Sequence, residues 1–180
     1  MAFNLPRREV LLSSQTASSN ASIAFTSVIT ANFSTYLVKI RDMVPQTNST
    51  ALWLTFSTDN GATYLSANYK YGGFFNNDAA ATGTSGSSNS AAQIVLFGAI
   101  ASNVSSSGWS ADVMLYDMNA SATCLPKVST NIVYYSSAPN ANITRSSGMN
   151  TAGLITAVKF AMSSGNIVSG TFRIYGLYEA

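Results

Sequence analysis

Residues 32–64 read NFSTYLVKIRDMVPQTNSTALWLTFSTDNGATY. Tyr36, Val38 and Ile40 alternate with Leu37, Lys39 and Arg41, and Leu52, Leu54 and Phe56 alternate with Trp53, Thr55 and Ser57. Successive side chains of an extended chain point to opposite faces, so a period of two marks two half-buried strands. Residues 45–50 join them through Pro, Asn, Ser and Thr, which favour loops. The second strand runs into Asn60-Gly61, a pair that tolerates positive φ and predicts a hairpin. The stretch speaks clearly of fold and hardly of chemistry.

Outward from it the same pattern recurs. Residues 22–29 (SIAFTSVI), 93–101 (QIVLFGAIA), 109–118 (WSADVMLYDM), 128–135 (VSTNIVYY), 154–162 (LITAVKFAM) and 170–177 (GTFRIYGL) each read as a strand. Residues 64–75 (YLSANYKYGGFF) read as a short strand ending at Gly72-Gly73, and residues 141–148 give no clear pattern. Residues 76–92 (NNDAAATGTSGSSNSAA) are polar and of low complexity, which predicts a long surface loop. Nothing repeats at a fixed period, so a propeller or solenoid is not expected. The fold predicted is all-β, an antiparallel β-sandwich, jelly-roll-like, of about eight strands. It occupies residues 21–180. Residues 1–20 form an extended N-terminal arm, ordered against a partner.

Composition sets the limits. One domain suits 180 residues, and 47% hydrophobic content suits a folded one. Charged residues are only 9%, where typical domains carry about 25%. So uncharged a surface has little to oppose association, which points to a homo-oligomer. The nine basic residues are scattered and give no nucleic-acid footprint. Arg7 and Arg8 are read as part of a docking arm, the candidate attachment to a particle. Residues 1–15 interrupt their apolar positions with Pro6, Arg7, Arg8 and Glu9, unlike a signal peptide. No run approaches the ~20 apolar residues of a membrane helix, so membrane insertion is not expected.

The absence of histidine excludes Cys-His and Ser-His-Asp catalysis. One cysteine, Cys124, allows no internal disulfide and no thiolate cluster. Seven acids are present, and no pair stands out at a glycosidase-like placement; Asp112 and Asp117 fall on opposite faces of one strand. Catalytic, cofactor and metal residues are therefore assigned none. Aromatics offer a ligand surface instead. Tyr69, Tyr71 and Phe74 cluster and are the candidate sugar platform.

Ser57-Thr58-Asp59-Asn60-Gly61-Ala62-Thr63-Tyr64 resembles the Asp-box hairpin, S-x-D-x-G-x-T followed by an aromatic. The box recurs in sialidase-like propellers and has a structural role there; here it occurs once. The carboxylate of Asp59 can accept bonds from the turn, and too few acids lie near it in sequence for a calcium site.

The motifs F-x-x-Y-L-V-x-I (residues 33–40), V-P-x-T (44–47), L-W-L-x-F-S-T-D-N-G-A-T (52–63) and S-G-T-F-R-I-Y-G-L (169–177) follow one another. In that order they resemble a group of small bacteriophage virion proteins and fibre-tip domains with β-sandwich or jelly-roll folds. The resemblance implies a non-enzymatic virion structural protein, a capsid decoration or tail component. It implies a homo-oligomer, a trimer, in contact with other virion proteins. The alternative it implies is a receptor-binding or carbohydrate-binding module of a tail fibre or spike, with a host surface glycan as partner. No collagen-like or coiled-coil stalk precedes the domain, which favours the decoration or tail reading. The resemblance supplies no catalytic residue and no cofactor.

Overall fold

The computed structural model describes residues 8–77, 80–101, 103, 108–118, 125–134, 141–149 and 154–178. Among them run twelve strands: β1 (Arg8–Thr16), β2 (Ser22–Thr26), β3 (Thr35–Pro45), β4 (Thr50–Ser57), β5 (Tyr69–Asn77), β6 (Ala80–Ala91), β7 (Ile94–Ala101), β8 (Trp109–Tyr116), β9 (Lys127–Tyr134), β10 (Ala141–Met149), β11 (Ala157–Met162) and β12 (Ile167–Tyr178). They form two antiparallel sheets, as a β-sandwich requires. The larger has the order β1-β12-β3-β8-β9-β10-β5-β6, the smaller β2-β11-β4-β7. The chain moves back and forth between them, from β2 in the small sheet to β3 in the large, then back to β4.

The period of two lays down the core. Tyr36, Val38 and Ile40 of β3 are fully buried, while Lys39 and Arg41, alternating with them, reach outward. In register, Val38 lies between Ile174 of β12 and Val113 of β8, and Ile40 between Phe172 and Ala111. The small sheet answers with Phe25, Val158 and Phe56 in one row and Ile23, Phe160, Leu54 and Ile94 in the next. The two inner faces meet where the rings of Phe160 and Phe172 stand 5.8 Å apart. These side chains form one contiguous core. Each large apolar side chain buried in this way stabilises the fold by about 1.5–3 kcal/mol.

Two features of the sheets depend on the aromatic residues. Gly176 sits inside β12 because the Phe33 ring covers it: a Cβ there would lie 2.6 Å from the ring. Phe33 in turn meets Tyr178 at 4.9 Å and Tyr36 at 5.8 Å between centroids. Tyr69, at the start of β5, reaches from the large sheet into the small one. Its hydroxyl accepts the Phe56 amide proton at 2.7 Å and donates to the Leu65 carbonyl at 3.2 Å.

Four expectations need correction. Residues 8–20 are not a free arm: Arg8–Thr16 form β1 on β12 of the same chain. The amides of Ala17 and Ser19 and an Asn20–Ile167 bridge continue the pairing. The reason is that Val10, Leu12 and Ala17 pack against the core, so the segment buries apolar surface without a partner. Residues 1–7 of the expected arm lie outside the described residues. Ala80–Ala91, expected as loop, form β6 along β5. Its small residues carry no apolar period, yet backbone pairing alone supports a strand at a sheet edge. Asn60 and Gly61 do have positive φ, at 61° and 90°, but no hairpin follows. β4 pairs with β11 and β7, and the chain leaves the turn to join the other sheet as β5. Finally, twelve strands replace about eight, with β1, β6 and β10 the main additions.

Candidate binding cleft and association edge

The outer face of the small sheet carries a cleft of about 320 Å³. Its floor follows from strand alternation. Leu52, Leu54 and Phe56 point inward, so Trp53 and Thr55 point outward. On β11 the inward residues are Val158 and Phe160, and the outward ones are Lys159 and Ala161. Register sets Lys159 directly opposite Thr55 and Ala161 directly opposite Trp53. Tyr64, Leu65 and Ser66 form one side of the cleft, and Ala92 and Gln93 enter from the segment before β7. The Lys159 ammonium stands 4.0 Å from the Tyr64 ring centroid, a cation–π contact. The Thr55 hydroxyl oxygen is screened from solvent and has no hydrogen-bond partner among the described residues.

The turn of residues 57–63 holds Tyr64 in place. Asp59 Oδ1 accepts from the Ser57 hydroxyl at 2.7 Å and from the Thr63 amide at 2.9 Å; Oδ2 accepts from the Thr63 hydroxyl at 2.5 Å. These bonds hold the Asp59 carboxyl down at about 2, the Thr63 hydroxyl being the largest cause. Asn60 ties the turn to its neighbours. Its amide nitrogen donates to Thr156 Oγ1 at 2.8 Å, and its side-chain oxygen accepts the Ser27 amide at 2.6 Å. Gly61 is needed at φ +90°, where a Cβ would meet Thr26 at 2.6 Å. The Asp-box stretch is thus a clamp joining the ends of β2, β4 and β11. Burial, with a smaller contribution from the Asp59 charge, raises the Tyr64 hydroxyl above its ordinary value.

The outer face of the large sheet is differently made. A smaller concavity of about 180 Å³ there is lined by Arg41, Ser110, Ala111, Asp112 and Asn131. Its charges answer each other: Arg41 Nη2 meets Asp112 Oδ1 at 2.7 Å, and Nη1 donates to the Ala111 carbonyl at 2.9 Å. Lys39 pairs with Glu9 at 2.7 Å, and Lys127 pairs with Asp117.

The expected sugar platform does not assemble. Tyr69 is fully buried, and burial pushes its hydroxyl up to about 12. Tyr71 is half-buried and packs against the core. Phe74 belongs to β5, with its side chain outside the described residues. Tyr69 and Tyr71 fall on the inner face because they are two apart in a strand whose inner face is core. Arg8 begins β1, opposite Tyr178, its side chain outside the described residues, as is all of Arg7. The aromatic residues that do reach an outer cleft, Trp53 and Tyr64, stand in the quoted stretch. The outward parity of Trp53 and the aromatic after the Asp-box were the signals for them.

β1 is an edge of the large sheet, and β6 is the opposite edge. Residues 10–16 of β1, VLLSSQT, carry neither charge nor proline. Leu11 is 53% exposed, and Tyr178, at the far end of β12, is 50% exposed. Natural edge strands are guarded by charges, prolines or bulges. Here the guards among the described residues are Arg8 and Glu9 at the start of β1 and one irregularity between Leu11 and Ser13.

No protein-family model, curated protein or solved structure matches this chain.

Proposed function

We propose that this chain is a non-enzymatic virion structural protein of bacteriophage type, a capsid decoration or tail component that assembles as a homo-oligomer. The observation that carries the reading is the β1 edge, open among the described residues, whose residues 10–16 carry no charge and include the exposed Leu11. Such an edge offers backbone donors and acceptors to a strand of another subunit. Pairing β1 of one copy with β6 of the next is a heterologous contact, which closes into a ring such as a trimer. The particle setting, with other virion proteins as partners, rests on the resemblance of the motif order to that of small virion proteins.

Two further features support it. Four carboxylates are engaged structurally: Glu9, Asp112 and Asp117 in ion pairs, Asp59 in its turn. The strand order supports the jelly-roll form of the sandwich. With the β9–β10 hairpin taken as an insertion and β1–β12 as an added edge, β2-β11-β4-β7 faces β3-β8-β5-β6, two interleaved Greek keys.

The test is light-scattering mass in solution, followed by incubation with virus particles lacking the protein. The expected result is a trimer that binds particles, and a folded Leu11→Lys variant that is monomeric and no longer binds. A wild-type monomer that ignores the particles contradicts the proposal.

A further inference from the structure

We propose that the cleft on the outer face of the small sheet binds an acidic saccharide, a pyranose unit carrying a carboxylate, stacked on Trp53 with its carboxylate on Lys159. The site is independent of the β1 edge and lies in a different sheet. It takes up the sugar-binding expectation at a place other than Tyr69, Tyr71 and Phe74.

Three observations carry it. The volume, about 320 Å³, falls at the lower end of small-ligand sites, about 300–1,000 Å³, and suits one ring at a time. The lining joins aromatic and polar groups: Trp53 and Tyr64 supply ring faces, whose negative quadrupole attracts the C–H groups of a sugar ring. Gln93 and Ser66 supply an amide and a hydroxyl for sugar hydroxyls.

The third observation is charge. Lys159 is the one charged residue among the described lining residues, and the contact it makes is with a neutral ring. On the large sheet Lys39, Arg41 and Lys127 each face a carboxylate, while Lys70 and Arg173 have no ion pair among the described residues and line neither cleft. Asp59, whose charge reaches Tyr64, is not a lining residue and holds both oxygens in turn hydrogen bonds. A cation without an anion, beside aromatic faces in a concave site, selects an anionic ligand. The Tyr64 contact holds the ammonium in place beforehand, which lowers the ordering needed on binding.

The experiment is calorimetric titration of the full chain with three acidic probes, tri-galacturonate, a glucuronate disaccharide and sialyllactose. Each is run against its neutral counterpart, the methyl esters of the first two and lactose. The expected result is saturable binding of at least one acid, roughly tenfold tighter than its neutral counterpart. Lys159→Met, which keeps the stem over Tyr64, should erase the acid preference, and Trp53→Ala should weaken acid and neutral forms alike. Circular dichroism of both variants checks that they are folded, and Lys159→Met decides the matter if Trp53→Ala is not. Binding of none of the three acids overturns the proposal. So does an acid preference that survives in Lys159→Met.

Discussion

The two sheets share one interior and show solvent two different surfaces. Outside the large sheet, Lys39, Arg41 and Lys127 each meet a carboxylate, while Lys70 and Arg173 of the same face meet none among the described residues. Outside the small sheet, Lys159 lies over Tyr64 in the cleft that Trp53 also lines, and the described lining residues include no acid. The same alternation builds both, because every inward apolar residue forces its neighbours outward. What differs is the neighbour chosen. On the large sheet most of the contrast is made by ion pairs between strands, whereas on the small sheet a cation lies over an aromatic ring in a cleft.

The shared interior is the part whose loss costs most. Phe160→Ala removes the ring that meets Phe172 across the sandwich and should destabilise by about 3–5 kcal/mol in urea unfolding. A loss under about 1 kcal/mol would mean the sheets do not share a core there. Next comes the tie between the sheets. Tyr69→Phe deletes the hydroxyl that accepts from the Phe56 amide and should cost about 1–3 kcal/mol, since a buried donor is left unmatched.

The ion pairs of the large-sheet face should be worth little in stability. A double-mutant cycle on Arg41 and Asp112, both substantially exposed, should give a coupling of about 0.2–1 kcal/mol that shrinks with added salt. A larger, salt-insensitive coupling would make that concavity a buried polar site instead.

The smallest effect concerns the clamp beneath the small-sheet face. Asp59 has a folded value of about 2 against an ordinary 3.8. Its contribution is therefore fully present above pH 3.8 and is lost as pH falls through about 2. The difference in urea midpoint between wild type and Asp59→Ala should be constant above that range and close across it. A difference that persists at the acid end would remove the turn bonds as its cause.

Much of the fold was legible in the sequence, for a physical reason. β3, β4, β8, β11 and β12 carry alternating apolar residues because one face of each is core, and the period survives in the letters. β6 was not legible, since its Ala, Gly, Ser and Thr residues hold no period and its pairing is made by the backbone. β1 was hidden by its short apolar run and by the polar residues after it; its attachment depends on β12, whose partner cannot be read locally. The site was half legible. Trp53 alternates with Leu52, Leu54 and Phe56, and Tyr64 is the aromatic that follows the Asp-box, but neither was legible as a site residue. Their meeting with Lys159, about a hundred residues along, is set by β4–β11 register, which the sequence does not print. Clustering in sequence misled in the case of Tyr69, which lies on the inner face and bonds across to the other sheet.

The difference between the faces is tested most directly by two-dimensional amide NMR during titration with whichever acidic saccharide binds. The predicted result is saturable shifts at Trp53, Thr55, Tyr64, Lys159 and Ala161, the Trp53 indole among them, with Lys39, Arg41 and Asp112 unmoved. Shifts centred on Arg41 and Asp112, or none on the small sheet, would contradict it.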